Sequence, residues 1–120
     1  MKKYKVILYE QSNGEKPVRE FIFKQDTKMK AKLIGLLEVL EEKGNTLREP
    51  YSKSLGDGIF ELRCNVGNNI TRIMYFFYYG DKIILTNGFV KKTQKTPKKE
   101  IDLAKKRRSE YIERVKQCKI

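Results

Sequence analysis

The chain has no histidine, and that absence removes several chemistries at once. A Ser-His-Asp or Cys-His nucleophile pair is excluded, as is a His-ligated metal. Any catalysis must use Lys, Arg, Tyr, Glu or Asp, and neither a metal nor a cofactor is expected. Cysteine is scarce too. Cys64 and Cys118 are far apart and lack metal-ligand spacing, so they read as free thiols in a reducing cytoplasm. No apolar run approaches the ~20 residues that span a bilayer, and no membrane association is expected. The opening "MKKYKVILYEQSNGE" has two lysines and a short apolar run. That run alternates with Lys5, breaks at Glu10 and lacks a small-residue cleavage site, so a signal peptide is not expected. Repeats, low-complexity linkers and composition breaks are missing as well, and the 120 residues read as a single domain, 1–120.

Acidic residues are the minority. Lys plus Arg number 27 against 15 Asp plus Glu, a net charge of +12. The excess is uneven: residues 91–120 hold 12 basic and 4 acidic residues, whereas residues 1–90 hold 15 and 11. A basic final third suggests a polyanionic partner, nucleic acid ahead of an anionic membrane. A basic surface with no target is the competing explanation. The stretch "GFVKKTQKTPKKE" (88–100) concentrates the question, because an apolar strand runs straight into Lys91, Lys92, Lys95, Lys98 and Lys99.

The chain divides readily into elements. "YKVILYE" (4–10) reads as a first strand, and Pro17 suits the opening of a short helix that presents Val18, Phe21 and Ile22. Asp26 or Thr27 caps a stronger helix to about Lys43. Its stripe of Met29, Leu33, Leu36, Leu37 and Leu40 has helical spacing, and Gly44 stops it. A loop with Pro50 and "LGDG" follows. Three strands come next, "IFELRCN" (59–65), "ITRIMYFFYY" (70–79) and "KIILTNGFV" (82–90), rich in β-branched and aromatic residues. A final helix over about 97–117 opens with Thr96 as N-cap and Pro97 at its first position. Ile101, Ala104, Arg108, Tyr111, Val115 and Cys118 form its stripe.

Strand periodicity sharpens the picture. With Gly80-Asp81 as a two-residue turn, Tyr79 faces Lys82 and Arg72 faces Phe89. A two-residue first turn within "VGNN" puts Arg63 on Arg72's face. One face then carries Phe60, Leu62, Cys64, Ile73, Tyr75, Phe77, Ile84, Thr86 and Val90, and should pack on the N-terminal helices. The opposite face carries Met74, Phe76, Leu85 and Phe89, coverable by the C-terminal helix. At its inner end it gathers Glu61, Arg63, Arg72, Asn87 and Lys91. Adjacent arginines repel unless an anion neutralises them. Two readings remain open: Glu61 pairs with one arginine while the other is exposed, or the face accepts a phosphate backbone.

The segments "GIFELR", "RIMYFFYYGDKIILTNGFVKKTQKTP" and "EIDLAKKRRSEY" resemble the RelE/ParE toxin superfamily, and within it the HigB-like (phage Gp49-like) toxins of type II toxin–antitoxin systems. The resemblance is dense from Gly58 to Tyr111; the first fifty residues agree only in layout. It implies an α+β, RelE-like microbial RNase fold: an antiparallel sheet of about four strands, two N-terminal helices on one face and a C-terminal helix. It further implies a ribosome-dependent mRNA endonuclease that works without metal by attack of the RNA 2′-hydroxyl. The implied partners are the ribosome, mRNA and a neutralising antitoxin, expected to be a helix-turn-helix protein, with operator DNA met only through that antitoxin. Carried onto this chain, Arg63 and Arg72 bind and stabilise the scissile phosphate, and Lys91 or Lys92 is the general acid or base. Glu61 is a second candidate base or an arginine partner. Lys95 contacts RNA phosphate, while Lys98 and Lys99 either do the same or are merely solvated. Arg108 reaches towards Glu61 or the phosphate, or is structural. Tyr111 orients substrate or belongs to the core. Two other functions fit the same residues: a ParE-like gyrase inhibitor, and a non-catalytic basic RNA-binding module.

Overall fold

The computed structural model describes residues 3–117. Five strands form one sheet: β1 (Lys5–Leu8), β2 (Ser52–Gly56), β3 (Ile59–Val66), β4 (Asn69–Tyr78) and β5 (Lys82–Val90), in the order β1-β5-β4-β3-β2. The helices are α1 (Pro17–Lys24), α2 (Thr27–Lys43) and α3 (Lys98–Gln117), with a short 3-10 turn at Gly44–Thr46.

Two features depart from the expected four-stranded antiparallel sheet. β1 lies parallel to β5, so the sheet is mixed. The segment expected to be a loop supplies β2, paired antiparallel with β3. "SKSLG" lacks the β-branched and aromatic residues that mark a strand; it is held by backbone pairing to the edge of β3, which a periodicity argument cannot see.

The helices follow local rules. Pro17 opens α1, where its missing N–H costs nothing. The Asp26 side chain accepts the Met29 N–H at 2.8 Å and caps α2. Met29, Leu33, Leu36 and Leu40 are buried, joined by Val18 and Ile22 of α1. Together with Leu62, Cys64, Ile73, Tyr75, Ile83 and Leu85 they make the main core on one side of the sheet. α3 covers the opposite side, where Ala104, Ile101 and Tyr111 pack with Ile59, Met74, Phe76, Ile84 and Phe89. Cys64 is a buried free thiol; Cys118 lies outside the described residues.

The β4–β5 hairpin corrects the expected register. Tyr78, not Tyr79, faces Lys82, so three residues turn the chain. The shift is cancelled at a bulge: Tyr75 faces Leu85, but Met74 faces Asn87, leaving Thr86 over. Between turn and bulge the expected faces are exchanged, with Leu85 in the main core and Ile84 under α3. Beyond the bulge the expected pairing of Arg72 with Phe89 holds. Val90, expected in the core, is 48% exposed. The Thr86 hydroxyl donates to the Met74 carbonyl at 3.2 Å, and the Thr86 carbonyl accepts from Arg107 at 2.9 Å.

Two glycines of α2 and its end should respond oppositely to a methyl group. Gly44 has φ +52°, and a Cβ there would lie 2.0 Å from the Tyr4 ring. Gly44→Ala is expected to cost about 3 kcal/mol in urea unfolding. Gly35, mid-helix with nothing within 4 Å of its would-be Cβ, should gain up to ~1 kcal/mol as alanine.

Candidate active site

Arg63 of β3 and Arg72 of β4 are direct cross-strand partners. The Gly67-Asn68 turn that joins their strands has two residues, with Val66 opposite Asn69. Equal parity puts both guanidiniums on the α3 side of the sheet, at the end that α3 leaves open. Lys91 follows β5 directly, and its N–H donates to the Ile70 carbonyl at 2.9 Å. That bond continues the β4–β5 pairing and brings the lysine to the same corner.

Glu61 lies two residues before Arg63, so the pleat puts it on the same face. It is only 1% exposed, and one oxygen accepts the Thr96 hydroxyl at 2.6 Å. Arg63 Nε approaches Glu61 Oε2 at 3.7 Å, and Arg72 Nε approaches Oε1 at 3.9 Å. These are ion pairs rather than hydrogen bonds, and both buried Nε atoms lack a hydrogen-bond partner. Arg72 is anchored elsewhere, donating through Nη1 to the Thr71 carbonyl at 2.8 Å and to Asn65 Oδ1 at 3.1 Å. Arg63 also meets the exposed Glu49 carboxylate at 3.7 Å.

The arginines therefore play different parts. Arg72 is 5% exposed, which corrects the expectation that an arginine not paired by Glu61 would stand exposed on the sheet; both are paired. Burial lowers the Arg72 pKa, Glu61 raises it and Arg63 lowers it further; a guanidinium stays charged at neutral pH regardless. Arg63, 24% exposed in its side chain, keeps solvent access. The Lys91 pKa is also lowered, chiefly by partial burial, with Arg72 and Arg63 adding to the effect and Glu61 opposing it.

Two adjoining hollows open here. One of about 440 Å³ is lined by Arg63, Arg72, Lys91 and Lys92 with Ile70 and Gln94. The other, about 250 Å³, runs past Glu61, Lys53, Lys95 and Thr96. Arg63, Lys91 and Gln94 line both. A hollow of about 500 Å³ elsewhere has mixed charge, with Glu10, Glu15, Lys16, Arg19 and Glu20 on its walls. Size alone does not pick the site; concentrated positive charge does. Among the described residues, no group of three or more Asp, Glu or Cys is placed to hold a metal ion.

Of the residues expected to act, Glu61, Arg63, Arg72, Lys91, Lys92 and Lys95 converge. Lys98 and Lys99 are exposed in the first turn of α3. Arg108 does not reach Glu61: its guanidinium donates to the Asp57 carbonyl and approaches Asp57 Oδ2 at 3.3 Å, pinning the β2–β3 turn. Tyr111 packs edge-on against Phe76 and Tyr78 and is a core residue. Thr96 is not the helix cap, since Pro97 precedes the helix and its carbonyl accepts the Glu100 N–H at 3.0 Å. Sequence reasoning missed the threonine's link to Glu61, and it missed Asn65 and Gln94. An N-cap motif and an asparagine near a strand end have bland local explanations, and nothing local signals their tertiary partners.

A family model described as "Phage derived protein Gp49-like (DUF891)" matches residues 20–109. The chain belongs to this family. The family is associated with toxins of toxin–antitoxin systems. The match runs from α1 into α3 and includes every residue of the cationic cluster. Comparison with curated proteins gave no match.

Removing one arginine leaves the buried carboxylate with less compensation. Arg72→Ala should cost roughly 3 kcal/mol in urea unfolding, and the more exposed Arg63→Ala about 1 kcal/mol. Glu61→Gln removes the charge that raises the Lys91 pKa. The Lys91 titration midpoint, already below that of a free lysine, should then fall further, as read by NMR of ¹³C-labelled lysine.

Proposed function

We propose that this protein is a HigB-like mRNA endonuclease toxin that acts on translating ribosomes and is neutralised by a cognate antitoxin. One observation carries the reading. Arg63, Arg72 and Lys91, from three neighbouring strands or their ends, meet in an open cleft over a buried carboxylate. Family membership supports the toxin role, and the cleft supports RNA-phosphate chemistry.

The RNA 2′-hydroxyl attacks the adjacent phosphorus, and its proton passes to solvent. The P–O5′ bond breaks, leaving a 2′,3′-cyclic phosphate and a 5′-hydroxyl. Arg63 binds the non-bridging oxygens and stabilises the extra negative charge of the transition state, a task suited to forked charged donors. Lys91 protonates the departing 5′-oxygen; its lowered pKa makes the ammonium a readier proton donor. Arg72 adds positive potential from below and fixes the floor. Glu61 is a poor general base, because it is buried and engaged by Thr96 and both arginines. Its part is to hold the cations in position. Lys92 and Lys95 extend the cleft and bind flanking phosphates.

Expression in a bacterial host should arrest growth and leave transcripts with 2′,3′-cyclic phosphate ends. Arg63→Ala and Lys91→Ala should each slow cutting by about 10²-fold or more while the protein stays folded. Because Lys91 acts protonated, cutting should decline as pH rises through its lowered pKa. Growth arrest with intact transcripts and inhibited gyrase supercoiling would overturn the assignment.

A further inference from the structure

A second cationic hollow lies on the other flank of α3, outside the cluster just described. It encloses about 290 Å³ between the segment after β1 and one flank of α3. Lys106, Arg107 and Arg114 line it, opposed by one carboxylate, Glu110. Gln11, Ser12 and Asn13 supply polar groups from the facing loop. Tyr9, Gln11, Ser12 and Asn13, together with Glu110 and Arg114, fall outside the residues of the family match.

This hollow is built rather than incidental. Tyr9 is 3% exposed and donates its hydroxyl to Glu110 at 2.9 Å. The Arg107 and Arg114 guanidiniums lie 5.3 and 5.8 Å from the Tyr9 ring centre. Each is also tied to a backbone carbonyl, Arg107 to Thr86 and Arg114 to Glu10. The two cations are thus fixed before any ligand arrives, and each guanidinium has five N–H donors. Lys106 is exposed and completes the rim. Fixed guanidiniums beside Ser, Asn and Gln side chains form the donor set that proteins use to hold nucleic-acid phosphates and sugars.

A path joins the hollow to the cleft. Lys99, Leu103, Lys106 and Glu110 recur at spacings of 4, 3 and 4, one stripe of α3. The stripe starts at the exposed first turn of α3, next to the loop that carries Lys92 and Lys95. A strand leaving the cleft over the start of α3 would meet Lys99 and then the hollow, about 10 Å further along the axis at Lys106.

We propose that this hollow is a second RNA-backbone site, holding a phosphate outside the cleaved linkage; the proposal rests on the cleft being an RNA-cleaving site. The phosphate comes either from the message flanking the cut or from ribosomal RNA. Binding is measured by anisotropy on 2′-O-methyl RNAs, which lack the attacking hydroxyl, of about four and about fourteen nucleotides, and by cosedimentation with ribosomes. Lys106→Ala should weaken the long RNA several-fold, lower its salt slope by about 0.7 and spare the short one; Asn13→Asp should act likewise. Loss confined to ribosomes supports the same site with ribosomal RNA as its source. If both variants match wild type on both RNAs and on ribosomes, the site does not exist. If they weaken only poly-glutamate binding, the occupant is an acidic protein segment and the RNA assignment fails. Arg63→Ala should weaken both RNA lengths. Should it weaken neither while Lys106→Ala weakens the long one, the cleft assignment fails and the hollow stands.

Discussion

One buried carboxylate organises the cationic end of this molecule. Glu61 has almost no water contact, so its charge must be balanced by protein, and the nearest cations are two arginines that would otherwise repel each other. The ion pairs are long, and neither Nε–H is satisfied by a hydrogen bond. The carboxylate therefore gathers the guanidiniums without neutralising them fully. Three cations, Arg63, Arg72 and Lys91, share one buried anion, and the positive excess faces the cleft. Thr96 fastens the same carboxylate to the lysine-bearing loop after β5, so strand and loop are referred to one point.

The rest of the fold serves to keep that corner open and firm. α1 and α2 fill one side of the sheet with an apolar core. α3 covers part of the other, resting Ala104, Ile101 and Tyr111 on the sheet and fixing itself through Arg107 to the bulge and Arg108 to the β2–β3 turn. Asn87 adds a further tie, donating to the Glu100 side chain at 2.9 Å. The start of α3 is thereby held beside the cleft.

Much of this was legible in the residues. Helical stripes, caps and alternating strands marked the core face of α1, α2, β3 and most of β4, and parity with a two-residue first turn put Arg63 on Arg72's face; their direct pairing came from the structure. What escaped was tertiary. β2 has no strand signature because backbone pairing to an edge needs none. The parallel docking of β1 on β5 is decided by chain direction across the whole domain. The burial of Arg72 was hidden because strand parity gives a face, not the depth of cover on it. Arg108 and Tyr111 were ambiguous for a related reason: an apolar stripe on a helix does not say where along the sheet it lands.

The hairpin between β4 and β5 has a consequence of its own. Its three-residue turn moves the strands one step out of phase, and the bulge at Thr86 moves them back. The two ends of the ribbon are thus set independently. Remodelling at the tip can be absorbed at the bulge, which Arg107 clamps, before it reaches Arg72 and Phe89. The exposed loop is free to diversify while the cationic corner keeps its alignment.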